Sequence, residues 1–432
     1  MPKNVFVLGL TEMQLHELET LEDADHLRFH DLIGYAPLIE PDEFVFDDLL
    51  EKGRAELDAF DGTIDAIIAH WDFPTSLLAP ILAAEWGIPA PSLTSLLKCE
   101  HKYWSRLEQA ASVPEHVPGF AAFDPFADDV RDQIGLEFPF WVKPIKSHSS
   151  QLGFRVEDDD DLAHAVRELR GGVQEVGSAF DEVMAMVELP PEIAELGGTA
   201  CLAEEILVGR QTAPEGSMAR GRFGVHGVFD MHYDERAESI VALDYPASKI
   251  PRWVQDRMAE ASERFLRHIG FDDGCFNVEF LWDEERDRLG IIEVNTRISQ
   301  SHSDLFAKVD GVSNHQIALD VALGMEPRIP DDKGTYEVAS KCIILHREDG
   351  VVTRVPSEQE LAELERRFPE TVFTIKVEPG DRLADLPHQD SYNYGLGDVY
   401  LGGDDPDDLE RRWQELSSSL LFEFDPPPSG DR

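Results

Sequence analysis

The sequence predicts a mixed α/β fold made of several structural units, and three observations support this prediction. Within residues 1–96, apolar segments of strand length alternate with helical patterns, which is typical of a parallel sheet. Residues 273–295 show the alternation of polar and apolar side chains that indicates a β-hairpin. The chain has 432 residues, 42% of them hydrophobic, which is enough for about three folded domains.

The N-terminal unit is predicted to contain two apolar strands, in residues 4–10 and 64–70. A helix is predicted after each strand, over residues 11–21 and in a segment that ends at Trp86. The turn after the first strand reads GLTEMQ and lacks the G-x-G-x-x-G pattern of dinucleotide-binding folds. We therefore expect neither NAD nor FAD in this unit.

Two lysines stand out in a chain in which lysine is scarce. Lys102 lies one turn before Arg106 on a helix predicted over residues 98–111, and Lys143 follows an apolar strand. The loop in residues 147–153 reads SHSSQLG, and backbone N–H groups and hydroxyls in such a loop can bind phosphate oxygens beside a lysine. The P-loop pattern G-x-x-x-x-G-K-[ST] does not occur in the chain. The alternative interpretation of Lys102 is a solvated helix lysine.

The sequence between this loop and the hairpin predicts a series of helices and strands. These are an acidic-capped helix in 158–171, an irregular exposed segment in 172–200, an apolar strand in 201–209, two strands with an acidic loop in 221–251, and an amphipathic helix in 252–270. A polar loop at 299–303 and a glycine-broken helix at 305–324 are predicted after the hairpin. Residues 335–425 are predicted to form a further α/β unit that opens with a strand at 338–346.

The hairpin carries the candidate metal site. If its strands pair symmetrically about Arg286, Glu279 lies opposite Glu293, and Asn277 lies opposite Asn295. Opposed side chains on such strands are roughly 4.5–5.5 Å apart, so two carboxylates placed there repel each other unless a cation lies between them. Carboxylate and amide oxygens form the hard-oxygen site that Mg²⁺ prefers. The alternative interpretation is a solvated acidic face of the hairpin.

These motifs, in this order, resemble the ATP-grasp superfamily. Glu279 and the run EVNTR in residues 293–297 are similar to the metal-binding end of that family. Upstream, Lys102 resembles the lysine of its K-x-x-x-R segment, Lys143 that of its V-K-P strand, and residues 201–209 its hinge. The resemblance implies an ATP-grasp fold with a Rossmann-like N-terminal domain and a small C-terminal α/β domain.

The resemblance also implies domain boundaries and roles for individual residues. The expected units are an N-terminal domain in 1–96, an ATP-grasp domain in 97–334 with a lid lobe at about 135–208 and a metal-binding lobe at about 209–334, a C-terminal domain in 335–425, and a disordered tail in 426–432. The expected ligands of one or two Mg²⁺ ions, with Mn²⁺ as the alternative, are Glu279, Glu293 and Asn295. The expected ATP-binding residues are Lys102, Lys143, Ser147, Ser149, Ser150, Gly153, Glu204, Glu205, Ile206 and Leu207. Lys143 and Arg297 are the expected catalytic residues, with Arg297 facing the γ-phosphate or the substrate carboxylate.

The resemblance implies an ADP-forming ligase that activates a carboxylate as an acyl phosphate and couples it to an amine, for example an amino acid or peptide. A biotin-carboxylase-like enzyme is disfavoured, because the family segment N-T-R-I-Q-V-E-H is replaced by NTRISQSH, with Gln300 and Ser301 at the hydrophobic and glutamate positions. A D-alanine–D-alanine-type ligase and a non-catalytic ATP-binding protein are the remaining alternatives. The expected partners are a small-molecule carboxylate and amine, and a homodimer is the default assembly of the family.

Charge and cysteine content bear on the environment of the protein. With 86 acidic and 38 basic residues, the net charge is −48, and such self-repulsion is screened at molar salt, where the Debye length is about 3 Å. We therefore expect a halophilic protein that binds neither nucleic acid nor anionic membranes. The four cysteines are widely spaced, which indicates reduced thiols. No apolar run approaches the roughly 20 residues of a membrane span, and the N-terminus lacks signal-peptide features, so a cytoplasmic location is expected.

Overall fold

The computed structural model describes residues 2–39, 45–147, 152–234, 236, 239–328, 334–386 and 392–426. The first unit contains a three-stranded sheet whose middle strand pairs in parallel with both neighbours, as the sequence predicted. Its elements are β1 (Lys3–Leu8), α1 (Glu12–Glu19), β2 (Leu27–Leu32), α2 (Tyr35–Ile39), α3 (Phe46–Asp58), β3 (Ala66–Ala69) and α4 (Thr75–Glu85). The strand order is β2-β1-β3, so the loop after β3 lies at one edge of this sheet.

The helix predicted over residues 98–111 is divided into two, α5 (Leu93–Glu100) and α6 (Lys102–Ser112). The division falls at His101, whose backbone is extended and whose Nδ1 atom accepts a hydrogen bond from the Trp104 N–H at 3.1 Å. A side chain that caps the next helix in this way ends the preceding one. Lys102 consequently occupies the first position of α6, where its N–H donates to the Ile145 carbonyl at 3.0 Å.

A second, antiparallel sheet forms a small lobe with its own hydrophobic core. Its elements are β4 (Phe120–Phe123), α7 (Val130–Ile134), β5 (Phe140–Pro144), β6 (Phe154–Val156), α8 (Asp159–Met184), α9 (Pro191–Ala194) and β7 (Cys201–Glu205), with the strand order β4-β7-β5-β6. Strand β5 carries Lys143 and pairs with β7, which carries Glu204. The pairing brings two of the predicted site residues onto adjacent strands.

The prediction of an irregular, exposed segment in residues 172–200 was wrong for residues 172–184. Helix α8 continues through this region as far as Met184, and the side chains of Phe180 and Val183 are fully buried. The helix contains Gly171, Gly172 and Gly177, and at Gly177 a Cβ atom would lie 2.8 Å from the carbonyl oxygen of Gly198. The glycine is thus explained by close packing against a neighbouring loop.

The third sheet is the largest and contains eight strands in the order β12-β11-β8-β9-β10-β13-β16-β15. Its first five strands and the associated helices are β8 (Arg210–Ala219), β9 (Arg222–Tyr233), β10 (Ile240–Tyr245), α10 (Arg252–Ile269), β11 (Gly274–Asp283), β12 (Arg288–Asn295), α11 (Gln300–Asp310) and α12 (Asn314–Ala322). The predicted hairpin register is confirmed, because Glu279 pairs with Glu293 and Asn277 pairs with Asn295. Strand β8 had no sequence-based prediction, since Pro214 and Gly216 in its interior hide the strand pattern.

The polar loop predicted at residues 299–303 was also wrong in extent. Helix α11 begins at Gln300, with Ser299 as its N-terminal flanking residue, so most of that segment is helical. The predicted glycine break is confirmed, because Gly311 ends α11 with a φ angle of 77°. The apolar side chains of the β11–β12 hairpin belong to the same hydrophobic core as the N-terminal unit. This core includes Phe73 of the N-terminal unit and Phe280 of the hairpin.

The C-terminal segment does not form a separate large sheet in the described residues, because three of its strands extend the eight-stranded sheet. Its elements are β13 (Val338–His346), β14 (Val351–Arg354), α13 (Glu358–Arg367), β15 (Val372–Ile375), β16 (Tyr394–Gly403), α14 (Pro406–Ser417) and β17 (Glu423–Asp425). Strand β13 pairs with β10 on one side and with β16 on the other. Only β14 and β17 pair apart from it, as a two-stranded sheet among the described strands.

Two further sequence-based expectations can be compared with the structure. All four cysteines are buried and free of disulfide bonds. Among the described helices, none has the length and apolar character needed to cross a membrane. Of the tail predicted to be disordered, residues 427–432 lie outside the described part of the chain.

Candidate active site

The two opposed glutamates of the hairpin face the same space. The Glu279 carboxylate accepts hydrogen bonds from Gln211 Nε2 at 2.8 Å and from Asn295 Nδ2 at 3.3 Å. Burial and the adjacent charge of Glu293 raise the pKa of Glu279 to about 7. Burial also works against ionisation of Glu293, but the charges of Lys102 and Lys143 hold the pKa of Glu293 below its ordinary value. Repulsion between the two carboxylates therefore disfavours the ionised form, chiefly that of Glu279.

The chemistry of these side chains fits Mg²⁺. A cation between the two carboxylates would relieve the repulsion that raises the pKa of Glu279. No group of three or more His, Cys, Asp or Glu side chains in the described part of the chain is arranged to hold a metal. Glu279, Glu293 and the amide of Asn295 form a smaller set, which suits Mg²⁺ because this ion is usually held by one or two carboxylates together with substrate phosphates and water.

Three lysines, Lys102, Lys143 and Lys146, lie close together at the start of α6 and the end of β5. Lys102 Nζ lies 3.6 Å from Glu293 Oε2 and donates to the Ser147 carbonyl at 2.8 Å. Burial lowers the pKa of Lys102, and the charges of Lys143 and Lys146 add to this effect. An anion bound between the three ammonium groups would offset their mutual repulsion. The arrangement therefore has the charge expected of a polyphosphate site.

Glu204 does not face an open pocket. Its carboxylate is buried between Arg106, with which it forms a hydrogen-bonded ion pair, and Lys143, whose Nζ lies 2.6 Å from Glu204 Oε2. Burial would raise the pKa of Glu204, but these two cations lower the pKa to about 2. Arg106 also donates to the carbonyls of Ile291 and Ile292 at 2.8 and 2.7 Å, which ties the small lobe to the hairpin. Glu204 is thus paired within the protein, where it positions Lys143, and its expected contact with ATP stays a prediction.

Of the other predicted ATP-binding residues, the structure describes Ser147, Gly153, Glu205, Ile206 and Leu207. The exposed Glu205 accepts a hydrogen bond from the Gly119 N–H at 2.9 Å. Half-buried Ile206 follows it, and the side chain of Leu207 packs on Gly290, where a Cβ atom would lie 2.7 Å from a Leu207 methyl group. Gly153 directly precedes β6. Ser147 contributes its carbonyl to Lys102, whereas Ser149 and Ser150 lie outside the described residues.

Arg297 is held by the N-terminal unit. Its Nε and Nη2 atoms donate to the two carboxylate oxygens of Asp72 at 2.6 and 2.9 Å. Burial works against the charged guanidinium, but Asp72 raises the pKa of Arg297, so the guanidinium stays charged. Asp72 lies in the loop between β3 and α4, and its carbonyl accepts hydrogen bonds from the N–H groups of Thr75 and Ser76 at the start of α4. The N-terminal unit therefore contributes a side chain to the site.

Several site residues were not identified from the sequence. Lys146 forms an ion pair with Glu100 and lies over the ring of Phe73 at 5.3 Å, while the second oxygen of Glu100 accepts from Thr296 Oγ1 at 3.0 Å. These contacts join the end of α5, the loop after β5 and the loop that carries Arg297. A local signal existed only for Lys146, because it follows Lys143 by three residues in a chain poor in lysine.

A buried network behind the hairpin fixes the start of α11. Glu215 accepts hydrogen bonds from the Ser299 N–H at 2.9 Å and from His302 Nδ1 at 2.8 Å, and its other oxygen accepts from Asn314 Nδ2 at 2.7 Å. The His302 ring stacks on Phe229 with 3.6 Å between ring centroids. Because Glu215 and His302 are both nearly inaccessible to solvent, this network holds the segment after Arg297 in one position.

Comparisons with known proteins agree with this architecture. Residues 229–329 match the family model of the carbamoyl-phosphate synthase L chain, ATP-binding domain. The carbamoyl phosphate synthase large chain of Rhodopirellula baltica is 28% identical over 173 residues, which cover 38% of this chain and 15% of that protein. In Xylella fastidiosa, the large chain is 38% identical over 79 residues, covering 18% of this chain and 7% of that protein. These matches therefore span only a small part of the relatives' length.

Solved structures match over almost the whole chain. L-amino acid ligase from Bacillus licheniformis has a TM-score of 0.71 at 17% identity, covering 98% of this chain and 99% of that one. N5-carboxyaminoimidazole ribonucleotide synthetase from Thermus thermophilus has a TM-score of 0.65 at 14% identity, with 96% and 98% covered. Biotin carboxylase from Campylobacter jejuni gives 0.62 at 15% identity, with 98% and 92% covered. The likeness to these structures shows the ATP-grasp fold over almost the whole chain, and residues 229–329 match an ATP-binding domain.

Proposed function

We propose that this protein is an ATP-dependent ligase that activates a carboxylate as an acyl phosphate and couples it to an amine, releasing ADP and phosphate. The observation that carries the proposal is the convergence of three lysines, two opposed glutamates and Arg297 on one space. Phosphoryl transfer needs positioning and neutralisation of charge more than covalent participation by the protein. A site with this charge distribution can supply both.

The residues have distinct roles in this proposal. Lys102, Lys143 and Lys146 would bind the phosphate chain, with Glu204 keeping Lys143 extended towards it. Glu279, Glu293 and Asn295 would hold Mg²⁺, which supplies charge neutralisation at the phosphate oxygens when bound. The loop in 147–153 would exclude water, since water would hydrolyse an acyl phosphate before an amine could react.

Arg297 would orient the substrate carboxylate through a bidentate contact. Asp72 orients the guanidinium by accepting hydrogen bonds from Arg297 at 2.6 and 2.9 Å. A substrate that carries both a carboxylate and an ammonium group could bind the two members of this pair together. This possibility supports amino acids as candidate substrates. It is in keeping with the name of the structurally similar L-amino acid ligase from Bacillus licheniformis.

The experiment that tests the proposal is a measurement of ADP and phosphate release with Mg²⁺ and ATP in molar KCl. Carboxylates and amines are supplied as pairs of amino acids, and bicarbonate is supplied separately to detect a carboxylase. The Glu293→Gln variant tests the metal site, and Glu284→Gln is the matched control, because Glu284 lies exposed in the turn of the same hairpin. The proposal predicts release that requires one carboxylate–amine pair and is lost only in Glu293→Gln.

Other results would redirect the assignment. Release with bicarbonate and no amine would favour the carboxylase alternative. Tight binding of Mg-ATP without release across a complete amino-acid panel would favour a non-catalytic nucleotide-binding protein. Failure to bind nucleotide would contradict the proposal.

A further inference from the structure

A second cationic cluster lies on the eight-stranded sheet, away from the lysines of the phosphate site. The Lys341 Nζ atom on β13 is 3.2 Å from Asp398 Oδ2 on β16, and Lys376 Nζ is 2.9 Å from the same oxygen. Within the described part of the chain, Asp398 is the only acidic partner of either lysine. The cluster of Lys341, Lys376 and Asp398 therefore has one more positive charge than negative.

This excess of positive charge is unusual in a chain with 86 acidic residues and only eleven lysines. Most surface cations of such a chain are expected to be neutralised by nearby carboxylates. Two of the few lysines instead share a single carboxylate. Burial lowers the pKa of Lys341 and the charge of Lys376 adds to the effect, so a bound anion would stabilise both ammonium groups.

The cluster also has an unsatisfied hydrogen-bonding atom. Asp398 is 4% exposed, and its Oδ1 atom has no hydrogen-bond partner among the described residues. Buried carboxylate oxygens are normally hydrogen-bonded, since leaving one unpaired is costly. Lys376 leaves the cluster accessible, because 45% of its side chain is exposed to solvent. A ligand that enters beside Lys376 could thus donate a hydrogen bond to Asp398.

A direct contact connects this cluster with the candidate active site. Lys341 Nζ donates to Ser301 Oγ at 2.9 Å, and Ser301 lies in the first turn of α11, four residues after Arg297. Four residues span at most about 14 Å between Cα atoms. The cluster therefore lies beside the segment that carries Arg297.

We propose that Lys341, Lys376 and Ser301 bind a second acidic group, a carboxylate or phosphate monoester, on the amine substrate, and that Asp398 accepts a hydrogen bond from the same molecule. This inference rests on the proposed ligase function. Arg297 and the phosphate-binding lysines are expected to hold the carboxylate that reacts, which leaves the more distant cluster for the far end of the amine. The amine substrate is thus an acidic amine, not a neutral one.

The first test compares amines that differ only in charge, at the lowest salt concentration that keeps the protein folded. The pairs are aspartate with asparagine, glutamate with glutamine, and phosphoserine with serine. A kcat/KM at least about tenfold higher for the acidic member of one pair is expected, because a charge-assisted hydrogen bond is lost with the neutral one. The identity of that pair distinguishes a carboxylate from a phosphate.

Two variants and a control test whether the cluster of Lys341, Lys376 and Asp398 causes the preference for an acidic amine. Lys376→Met and Lys341→Met are expected to raise KM for the acidic amine about tenfold or more and to leave KM for ATP unchanged. Lys376 is half exposed, so its variant remains informative if Lys341→Met fails to fold. Lys249→Met removes an exposed lysine elsewhere and should change none of these values. Equal kcat/KM within every pair, or no effect of Lys376→Met, would overturn the inference.

A binding measurement separates this inference from the ligase proposal. Glutarate and inorganic phosphate are titrated calorimetrically into protein saturated with Mg-ADP, with and without the Lys376→Met substitution. Binding that Lys376→Met weakens would support the acidic subsite even if no amine supports turnover, in which case only the ligase proposal fails. Binding that is absent, or unchanged in Lys376→Met, would contradict the subsite whatever the turnover assay shows.

Discussion

Glu204 and Glu279 are two glutamates of the same candidate site with opposite surroundings. Glu204 lies between the cations of Arg106 and Lys143, and its pKa is lowered to about 2 despite burial. Glu279 lies opposite Glu293, and burial together with that charge raises its pKa to about 7. One carboxylate is neutralised by the protein itself, whereas the other has a neighbour of like charge.

This difference in surroundings indicates a structural role for Glu204 and a ligand-binding role for Glu279. Both oxygens of Glu204 are used within the protein, so its removal should cost stability. Glu279 gains from a cation that the chain does not provide, so its removal should cost function and little stability. A buried carboxylate therefore indicates function when its neighbours leave its charge unbalanced.

The largest expected effect concerns the acidic pair. Glu293→Gln should lower kcat for ADP release at least about 100-fold, since the charge stabilisation provided by a bound metal ion is worth several kcal/mol. The free energy of unfolding without Mg²⁺ should fall only modestly, because Lys102 loses its partner while Glu279 loses a neighbour of like charge. Steady-state kinetics and chemical denaturation measure the two quantities. A strong loss of stability would place Glu293 with Glu204 as a structural residue.

The next effect concerns Glu204. Glu204→Gln should lower the free energy of unfolding by about 3 kcal/mol, because Arg106 and Lys143 lose the charge that compensates them. Urea denaturation in molar KCl would measure this. Glu205→Gln is the matched control, since the neighbouring Glu205 side chain is 55% exposed and should change stability by less than about 0.5 kcal/mol. Equal effects of the two substitutions would contradict the comparison.

The two glutamates should also differ in pH dependence. The pKa of Glu204 is lowered in the folded state, so its contribution to stability is present above about pH 4.5 and lost as pH falls towards 2. The pKa of Glu279 is raised, so wild type should lose stability relative to Glu279→Gln as pH rises from 4.5 to about 7. The difference should be on the order of 3 kcal/mol and constant above pH 7. Denaturation series in EDTA would detect it, and identical pH profiles of wild type and variant would refute it.

The smallest effect is expected from salt. Total stability should rise with KCl because the net charge of −48 is progressively screened. The stability difference between wild type and Glu204→Gln should change by less than about 0.5 kcal/mol between 0.5 and 2 M KCl, since buried pairs are screened far less than exposed ones. Parallel urea titrations would measure both. A difference that disappears at high salt would mean that Glu204 behaves as a surface charge.

The sequence predicted the part of the site that lies within one local pattern. The pairing of Glu279 with Glu293 followed from alternation and a charged turn inside 23 residues, and the structure has that register. The contact between Asp72 and Arg297 joins residues 225 positions apart, and that between Arg106 and Glu204 joins residues 98 apart. Local periodicity carries no information about such contacts.

The errors in the fold have a related cause. Helix α8 was predicted to end at residue 171, and no strand was predicted for β8; both elements contain residues, glycine and proline, whose local preferences disfavour helix and strand. In both elements tertiary packing overrides the preference, as at Gly177, which lies against the backbone of Gly198. The division at His101 is the opposite case, where a favourable helical pattern is interrupted by a side chain that caps the next helix.

The continuity of the eight-stranded sheet restricts how this protein can be redesigned by exchanging parts. Strand β10 is covered along residues 242–245 by β13 from the C-terminal segment. A chain ended before β13 would expose β10 as an edge strand, the kind of surface through which sheets associate and aggregate. A chimaera that grafts a different C-terminal unit therefore has to bring a matching strand for β10. The junction of such a chimaera should therefore be chosen to keep the pairing of β10 with its neighbouring strand, and the position of the linker alone does not define it.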